Sequence, residues 1–272
     1  MSARCQRRKA WETTRGRYAC ARGGFQTAAV AGTIFQDTKA DLRLWFRAMG
    51  YVTNQKSGVS ALGLQWALGG APEPPGPGWL HQRRAAMVRP GRDRRAGTVE
   101  VDEVDWGGPR PGKRGRGAAG KTLIVIAAQV GGRRIGRSRL QRVPDASAPS
   151  LERAVPAAVE PGRGVRTDGL SSYSGWPARG YVHELVRKEA LLSENLLPRV
   201  NRVVVLFKRE LVGTDQGRVD PTHLDAALAE CTFRFHRRTA RWRGKLFDRL
   251  AQQAVAMDAR PAKRARRPLV AV

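Results

Sequence analysis

The fold is decided by three stretches of sequence, TVEVDEV (98–104), KTLIVIAAQV (121–130) and IGRSRLQRV (135–143). The first alternates apolar and polar residues, which is typical of a strand with one buried face. The second is a continuous apolar run, as expected of a central strand that is buried on both faces. The third follows a turn signal at Gly131 and Gly132. The sequence therefore predicts that three successive strands open one domain.

The elements that follow are predicted from the same kinds of pattern. A helix is predicted over SAPSLERAVPAAVE (147–160), which Pro156 must kink or end, and short strands are predicted at GVRTD (164–168) and YVHELV (181–186). Helical apolar stripes then recur in three segments, at 194–213, 221–238 and 244–257. Three strands, a helix, two strands and a long helix is the element order of the ribonuclease H-like fold. The predicted class is therefore α/β, a mixed sheet flanked by helices.

The chain ahead of these strands has a different character. Residues 1–30 are rich in Arg and Gly and predict a small, loop-dominated module. KADLRLWFRAMGYV (39–52) has helical spacing, with Asp37 as its predicted N-cap, and SALGLQWALGG (60–70) predicts a second helix that ends at glycine. The pair can begin a helix-turn-helix. The prolines of APEPPGPG (71–78) exclude regular helix there and predict a linker.

Composition indicates a globular protein with a polyanionic partner. The chain has 272 residues and 41% hydrophobic content, which is enough for a packed core. Its 50 Lys and Arg exceed its 23 Asp and Glu and give a net charge of +27. Such charge favours nucleic acid, because each neutralised phosphate releases condensed counterions. The alternatives are an ordinary cationic protein, one bound to anionic lipid, or a basic RNA-binding protein, although no aromatic-rich RNA platform is evident.

Cysteine usage and hydropathy indicate the compartment. Cys5, Cys20 and Cys231 are too few and too scattered for a disulfide framework. No segment approaches the roughly 18 apolar residues of a membrane span, and the basic start lacks the apolar middle of a signal peptide. We therefore expect a cytoplasmic protein with no membrane partner.

Two aspartates fall where a mixed sheet exposes polar groups. Asp102 lies between valines in the first strand, where an acid is costly unless a cationic partner or a metal offsets it. Asp168 follows the fourth strand, and Gly169 permits a tight exit. The alternatives are a solvent-facing residue for Asp102 and a turn-forming or capping aspartate for Asp168.

A third candidate site lies on the long helix. Asn201 and Lys208 are seven residues apart and therefore project from one helix face. Two carboxylates and an amide oxygen can ligate Mg²⁺, and a pair of such ions can stabilise the attacking and leaving oxygens at phosphorus. The alternatives are an ordinary surface or capping amide and a solvated lysine.

Several blocks of this sequence, in this order, resemble the insertion-sequence transposases of the ISXO-type group, family fifteen ninety-five. The resemblance extends from about Cys5 to Ala256. The blocks are GTVEVDEV (97–104), PGKRGRG (111–117), VRTDG (165–169), LPRVNRVVVLFKRELVGTDQGRV (197–219) and HLDAALAECTFRFHRRTARWRGKLF (223–247).

The resemblance implies a ribonuclease H-like transposase of the DDE superfamily, which binds double-stranded DNA and acts as at least a dimer. The DNA comprises the terminal inverted repeats of the element and the target. A two-metal Mg²⁺ site is implied, with Asp102, Asp168 and Asn201 as its ligands and Lys208 as the trailing lysine. Two other acids compete for the site. Glu103 should point to the opposite strand face, and Glu194 is a reserve third ligand, seven residues before Asn201 on the same helix face if the helix continues through Pro198.

Basic residues are predicted to contact the DNA backbone. Lys113, Arg114 and Arg116 lie in the glycine-rich segment, and their alternative is a solvated loop. A second set lies at the end of the 221–238 segment and in the RWRGK stretch that follows, and it is expected to position phosphates: Arg237, Arg238, Arg243 and Lys245.

The family usually opens with a zinc ribbon, and the matching positions here are Ser2, Cys5, Cys20 and Gly23. Two thiolates cannot close a tetrahedral zinc site, so we expect no tightly bound zinc and only a Cys5 and Cys20 remnant. The predicted organisation is a degenerate zinc-ribbon remnant (1–30), a helical DNA-binding region (31–95), a ribonuclease H-like catalytic domain with C-terminal helices (96–257) and a basic disordered tail (258–272). The alternative function is a decayed transposase that only binds DNA non-specifically.

Overall fold

The structure is a computed structural model that describes most of the chain. The described residues are 10–14, 16–21, 24–38, 40–55, 57–70, 83–88, 94–107, 121–186, 196–215, 219 and 221–257. Several predicted features lie outside these residues: Lys113, Arg114, Arg116, Glu194, Cys5, the proline-rich stretch 71–78 and the tail 258–272. Within the described residues, none of the helices has the length and apolarity that a membrane crossing needs.

A five-stranded mixed sheet forms the centre of the larger part of the protein. Its strands are β4 (Val99–Trp106), β5 (Thr122–Gly131), β6 (Arg134–Val143), β7 (Gly164–Thr167) and β8 (Val182–Leu185). They lie in the order β6-β5-β4-β7-β8. β4, β5 and β6 pair antiparallel, whereas β7 is parallel to β4 and β8 is parallel to β7. The predicted α/β class with its ribonuclease H-like element order is confirmed.

Helices cover both faces of this sheet. Helix α4 (Ala148–Ala158) packs on one face, with Val99, Val101 and Val165 in the shared core. Helices α5 (Pro198–Asp215) and α6 (Pro221–His236) pack on the other, with Val104 and Ile126 in the shared core. The continuous apolar run of β5 is thus buried on both faces of the sheet, as its sequence pattern indicates.

The proline predictions hold at three helices. Pro156 lies inside α4, and that helix ends two residues later, since proline lacks the N–H that a continuing helix needs. Pro198 and Pro221 are the first residues of α5 and α6, where the missing donor costs nothing. Helix α7 (Arg243–Ala256) completes the C-terminal part.

The N-terminal part holds more regular structure than its composition predicts. β1 (Ala10–Glu12), β2 (Arg17–Cys20) and β3 (Gln26–Ala28) form a three-stranded antiparallel sheet. The sequence does not reveal these strands, because strands of three or four residues are too short to show alternation. Cys20 ends β2 and is disulfide-bonded.

Helices α1 (Leu42–Asn54), α2 (Ala61–Ala67) and α3 (83–86) follow. The predicted N-cap at Asp37 is wrong: Asp37 has a φ of 58°, and the side chain of Asp41 accepts a hydrogen bond from the Arg43 amide at 2.9 Å. The true cap therefore lies four residues later. Ser60 caps α2 by accepting from the Gly63 amide at 3.0 Å.

These N-terminal helices share a core with the C-terminal ones. Trp45 and Met49 of α1 and Leu64 of α2 are buried in the same cluster as Phe233 of α6 and Leu250 of α7. Helix α7 therefore packs against α1. The segment predicted as a separate helical DNA-binding region is thus anchored to the end of the chain by apolar contacts.

A buried network of charges crosses the same interface. Glu230 of α6 contacts Arg84 at 2.7 Å and Arg234 at 2.7 Å. Burial raises the pKa of Glu230, but the two arginines outweigh it and hold that pKa below the usual range. The pKa of Glu210 is instead raised to about 7 by burial and by Glu230, with Arg234 opposing. Arg234 also donates to the Val52 carbonyl at 2.8 Å, so the network ties α6 to α1.

Candidate metal centre

Asp102 lies in the middle of the sheet, on its central strand. It is half-buried on β4 and stands opposite Ile126 of β5. Its Oδ1 accepts a hydrogen bond from the Glu103 amide at 2.8 Å. The flanking residues Val101 and Val104 are buried on opposite faces, which fixes the strand and therefore the direction of the Asp102 side chain.

Asp168 comes directly after β7, the parallel neighbour of β4. Gly169 follows with a φ of 86°, a backbone conformation that side chains disfavour, so the chain turns immediately behind the carboxylate. Asp168 is exposed, and its Oδ1 accepts from the Leu170 amide at 3.2 Å. The turn-forming role that was the alternative for this residue is therefore present, and it leaves the other carboxylate oxygen, Oδ2, outside that turn bond.

The strand register relates the two aspartates. Val99 pairs with Val165 and Glu100 pairs with Arg166 between β4 and β7. Asp102 and Asp168 each come two residues after the Glu100–Arg166 pair, and Asp168 lies just beyond the end of β7. Neighbouring strands lie about 4.8 Å apart, so we expect the two carboxylates to lie near each other.

A buried tyrosine, Tyr173, contacts the acid that follows Asp102 on β4. Tyr173 is fully buried, and its hydroxyl donates a hydrogen bond to the Glu103 carboxylate. The pKa of Tyr173 is raised above its ordinary value, first by burial and then by the charges of Glu103, Asp102 and Asp168. The bond between Tyr173 and Glu103 lies on the α4 side of the sheet, opposite the face of Asp102.

A neighbouring histidine packs near Tyr173. His183 of β8 hydrogen-bonds the Thr167 hydroxyl at 2.9 Å, and its ring centroid is 6.3 Å from that of Tyr173. Burial lowers the pKa of His183 below its ordinary value, so the ring is neutral at pH 7. Arg166 is paired with Glu184 at 2.7 Å, on the outer strand.

Asn201 lies in the first turn of α5, which begins beside β4. It is half-buried, and its backbone N–H donates to the Leu197 carbonyl at 3.0 Å. The two residues before it, Arg199 and Val200, donate their amides to the carboxylate of Glu100 at 2.7 and 2.9 Å. The helix therefore starts against the strand that carries Asp102. Lys208 is exposed two turns further along, about 10 Å from Asn201 by helical rise.

The donor chemistry of these residues fits Mg²⁺ better than a softer ion. Two carboxylates and an amide supply only oxygen ligands, which hard cations prefer. Within the described ranges, no group of three or more His, Cys, Asp or Glu could hold a metal ion. A site built on Asp102 and Asp168 therefore needs the Asn201 oxygen, or a further ligand, to become complete.

The predicted phosphate contacts on the C-terminal helices lie around the α6–α7 turn. The guanidinium groups of Arg237 and Arg238 stack 3.9 Å from the ring centroids of Phe233 and Phe235, respectively. Arg238 also donates to the Phe235 carbonyl at 2.8 Å. Arg243 and Lys245 are exposed at the start of α7. Stacking pre-orders the first two cations, and their role in binding phosphate stays a prediction.

Two residues of this site were missed from sequence. Glu100 shares with Asp102 the signal of an acid between valines, but the residues that it binds are about 100 positions away. Tyr173 sits in SSY (171–173), where nothing in the sequence indicates burial. The prediction that Glu103 points away from the Asp102 face agrees with its bond to Tyr173, a residue of the α4-side core.

The part of the chain that contains this sheet is similar to one known protein family. The family model described as the ISXO2-like transposase domain matches residues 95–236, which is 142 of the 272 residues. The match spans the whole five-stranded sheet and contains Asp102, Asp168, Asn201 and Lys208. No curated protein and no solved structure matches the chain.

Proposed function

This chain belongs to the ISXO2-like transposase family, and from that premise we propose that it cuts the ends of an insertion sequence and joins them to target DNA. The observation that supports the proposal is the register of β4 and β7, in which the Glu100–Arg166 pair lies two residues before Asp102 and Asp168. A transposase-family domain implies DNA as the partner and divalent metal use. We propose in addition that this chain itself cleaves DNA and transfers the cut strands to the target.

We assign the metal ligands to Asp102, Asp168 and Asn201. When bound, Mg²⁺ neutralises charge on the phosphate and activates the attacking oxygen. The proposed contribution of the chain is positional: neighbouring strands carry the two carboxylates, and α5, whose start is bonded to Glu100 of β4, carries the Asn201 side-chain amide. Lys208 orients a DNA phosphate from the same side of α5. Such positioning makes the attack effectively intramolecular and accounts for much of the expected rate.

Binding of DNA is assigned to the cationic surface. A net charge of +27 gives salt-sensitive affinity that depends little on sequence. Arg237, Arg238, Arg243 and Lys245 contribute phosphate contacts around the α6–α7 turn, and Lys113, Arg114 and Arg116 contribute others from the glycine-rich segment. We assign recognition of the terminal inverted repeats to the helical region 31–95, and joining of two ends to at least a dimer.

The experiment that tests the function uses supercoiled DNA carrying candidate element ends. Purified protein is incubated with Mg²⁺ or with EDTA, beside an Asp102→Ala variant. We expect nicking that requires Mg²⁺ and is lost in the variant, because metal neutralisation of the phosphate supplies several kcal/mol. Binding without nicking under any metal condition would instead support a decayed copy whose remaining property is non-specific affinity for DNA.

A further inference from the structure

A second acid lies two residues before Asp102 on the same face of β4. Glu100 is 1% exposed, and an uncompensated carboxylate in such a place is strongly unfavourable. Its Oε2 accepts from the Arg199 amide at 2.7 Å and from the Val200 amide at 2.9 Å. These are amides of the first helical turn, which have no partner within the helix. The carboxylate and the positive end of the helix dipole therefore stabilise each other.

This contact joins the two elements that carry the proposed metal ligands. Glu100 and Asp102 project from one strand face about 7 Å apart. Asn201 follows Val200 directly, in the same turn of α5. A carboxylate that holds two successive amides fixes both the axial position and the rotation of that turn. It therefore fixes the position of the Asn201 Cα atom and the direction in which the side chain leaves the helix.

We propose that Glu100 is a positioning residue of the metal centre, setting Asn201 of α5 against Asp102 of β4. The inference rests on the proposed function, because that assigns Asp102 and Asn201 as ligands. Glu100 itself touches neither metal nor DNA. It acts through the helix start.

Glu100 contacts Arg199 in two ways, through the backbone amide of Arg199 and through its guanidinium group, and a substitution of Arg199 separates the two effects. Its Nη1 lies 3.4 Å from Glu100 Oε1, and its Nη2 donates to the Gly132 carbonyl at 2.9 Å. Arg199→Ala removes both side-chain contacts and keeps the backbone amide that Glu100 holds. If the bonds from the backbone amides to Glu100 position Asn201, this variant retains metal affinity close to that of the unmodified chain.

The test measures Mn²⁺ affinity of the full chain without DNA, by following free Mn²⁺ with electron paramagnetic resonance. Glu100→Ala is expected to weaken binding by about 10- to 100-fold, as removal of outer supporting groups does at other metal sites. Glu100→Gln keeps one acceptor oxygen and should recover part of the affinity. Glu230→Gln, which alters another buried carboxylate, should lower the melting temperature and leave Mn²⁺ affinity unchanged.

The outcomes separate this role from the proposed function. Unchanged Mn²⁺ affinity in both Glu100 variants, whatever their melting temperatures, would reduce Glu100 to a stabilising cap and overturn the inference. Absence of Mn²⁺ binding by the unmodified chain, or binding that survives Asp102→Asn, would overturn the metal site and this role with it. If the Glu100→Ala variant does not fold, the Mn²⁺ affinity of the Glu100→Gln variant decides whether Glu100 positions the metal ligands.

Discussion

Asp168→Asn is expected to lower Mg²⁺-dependent cleavage of element ends by at least about 10³-fold, since a metal ligand contributes several kcal/mol to the barrier. The substitution is close to isosteric. Asn retains an Oδ1 that can accept from the Leu170 amide, so the turn that begins at Asp168 is preserved. What is lost is the negative charge and its affinity for the cation. The measurement is a single-turnover cleavage rate at saturating protein.

Glu184→Gln supplies the matched control for this variant. Glu184 is an exposed carboxylate on the same sheet, paired with Arg166 at 2.7 Å and outside the proposed ligand set. Its cleavage rate should stay within about 2-fold of the unmodified chain, because an exposed pair contributes little. DNA affinity should be unchanged in both variants. An Asp168→Asn protein that cleaves at the full rate would remove Asp168 from the site.

Glu230→Ala is expected to lower the free energy of unfolding by about 3–5 kcal/mol, the usual effect of removing one partner of a buried ion pair. Arg84 and Glu230 are 5% and 2% exposed, so the arginine left behind cannot be solvated without opening the interface. Arg234 loses its shortest carboxylate contact as well. The measurement is denaturant unfolding followed by circular dichroism.

Glu160→Ala is the comparison for that loss. Glu160 pairs with Arg163 at 3.0 Å on the surface, where both side chains are more than a third exposed. Its removal should cost less than about 1 kcal/mol. A Glu230→Ala protein as stable as Glu160→Ala would show that the network between α6 and the N-terminal helices does not stabilise the fold.

The sheet could be predicted from sequence because its strands carry their burial in their own residues. TVEVDEV alternates, and Val99 and Val101 face one core while Val104 faces the other. KTLIVIAAQV is apolar throughout, and its residues 123–128 are buried on both sides. Such patterns are local, so a single sequence reveals them.

The features that could not be predicted depend on distant contacts. Asp37 and Asp41 both precede the apolar stripe of α1, and local preference does not separate them. The structure favours Asp41, because the chain before it turns so that the Thr38 hydroxyl accepts from the Trp45 indole at 2.8 Å. The bond from Glu100 to the start of α5 likewise joins residues about 100 positions apart.

The candidate site was predictable in part. Asp102 and Asp168 are candidates through their places in the predicted strands, and Asn201 and Lys208 through their seven-residue spacing; the resemblance to a family supports all four. The support around them, Tyr173 against Glu103 and Glu100 against the helix start, was not found. Both pairs are bonds between elements whose packing only the folded chain defines.

Mapping of the metal position shows whether the three proposed ligands share one site. Fe²⁺ takes the place of Mg²⁺ on the full chain, and peroxide with ascorbate then generates hydroxyl radicals that cut the polypeptide near the ion. We expect cuts in three separate segments, around Asp102, Asp168 and Asn201, which excess Mg²⁺ suppresses together. Cuts confined to other segments, or cuts that Mg²⁺ does not suppress, would contradict a shared site for these three residues.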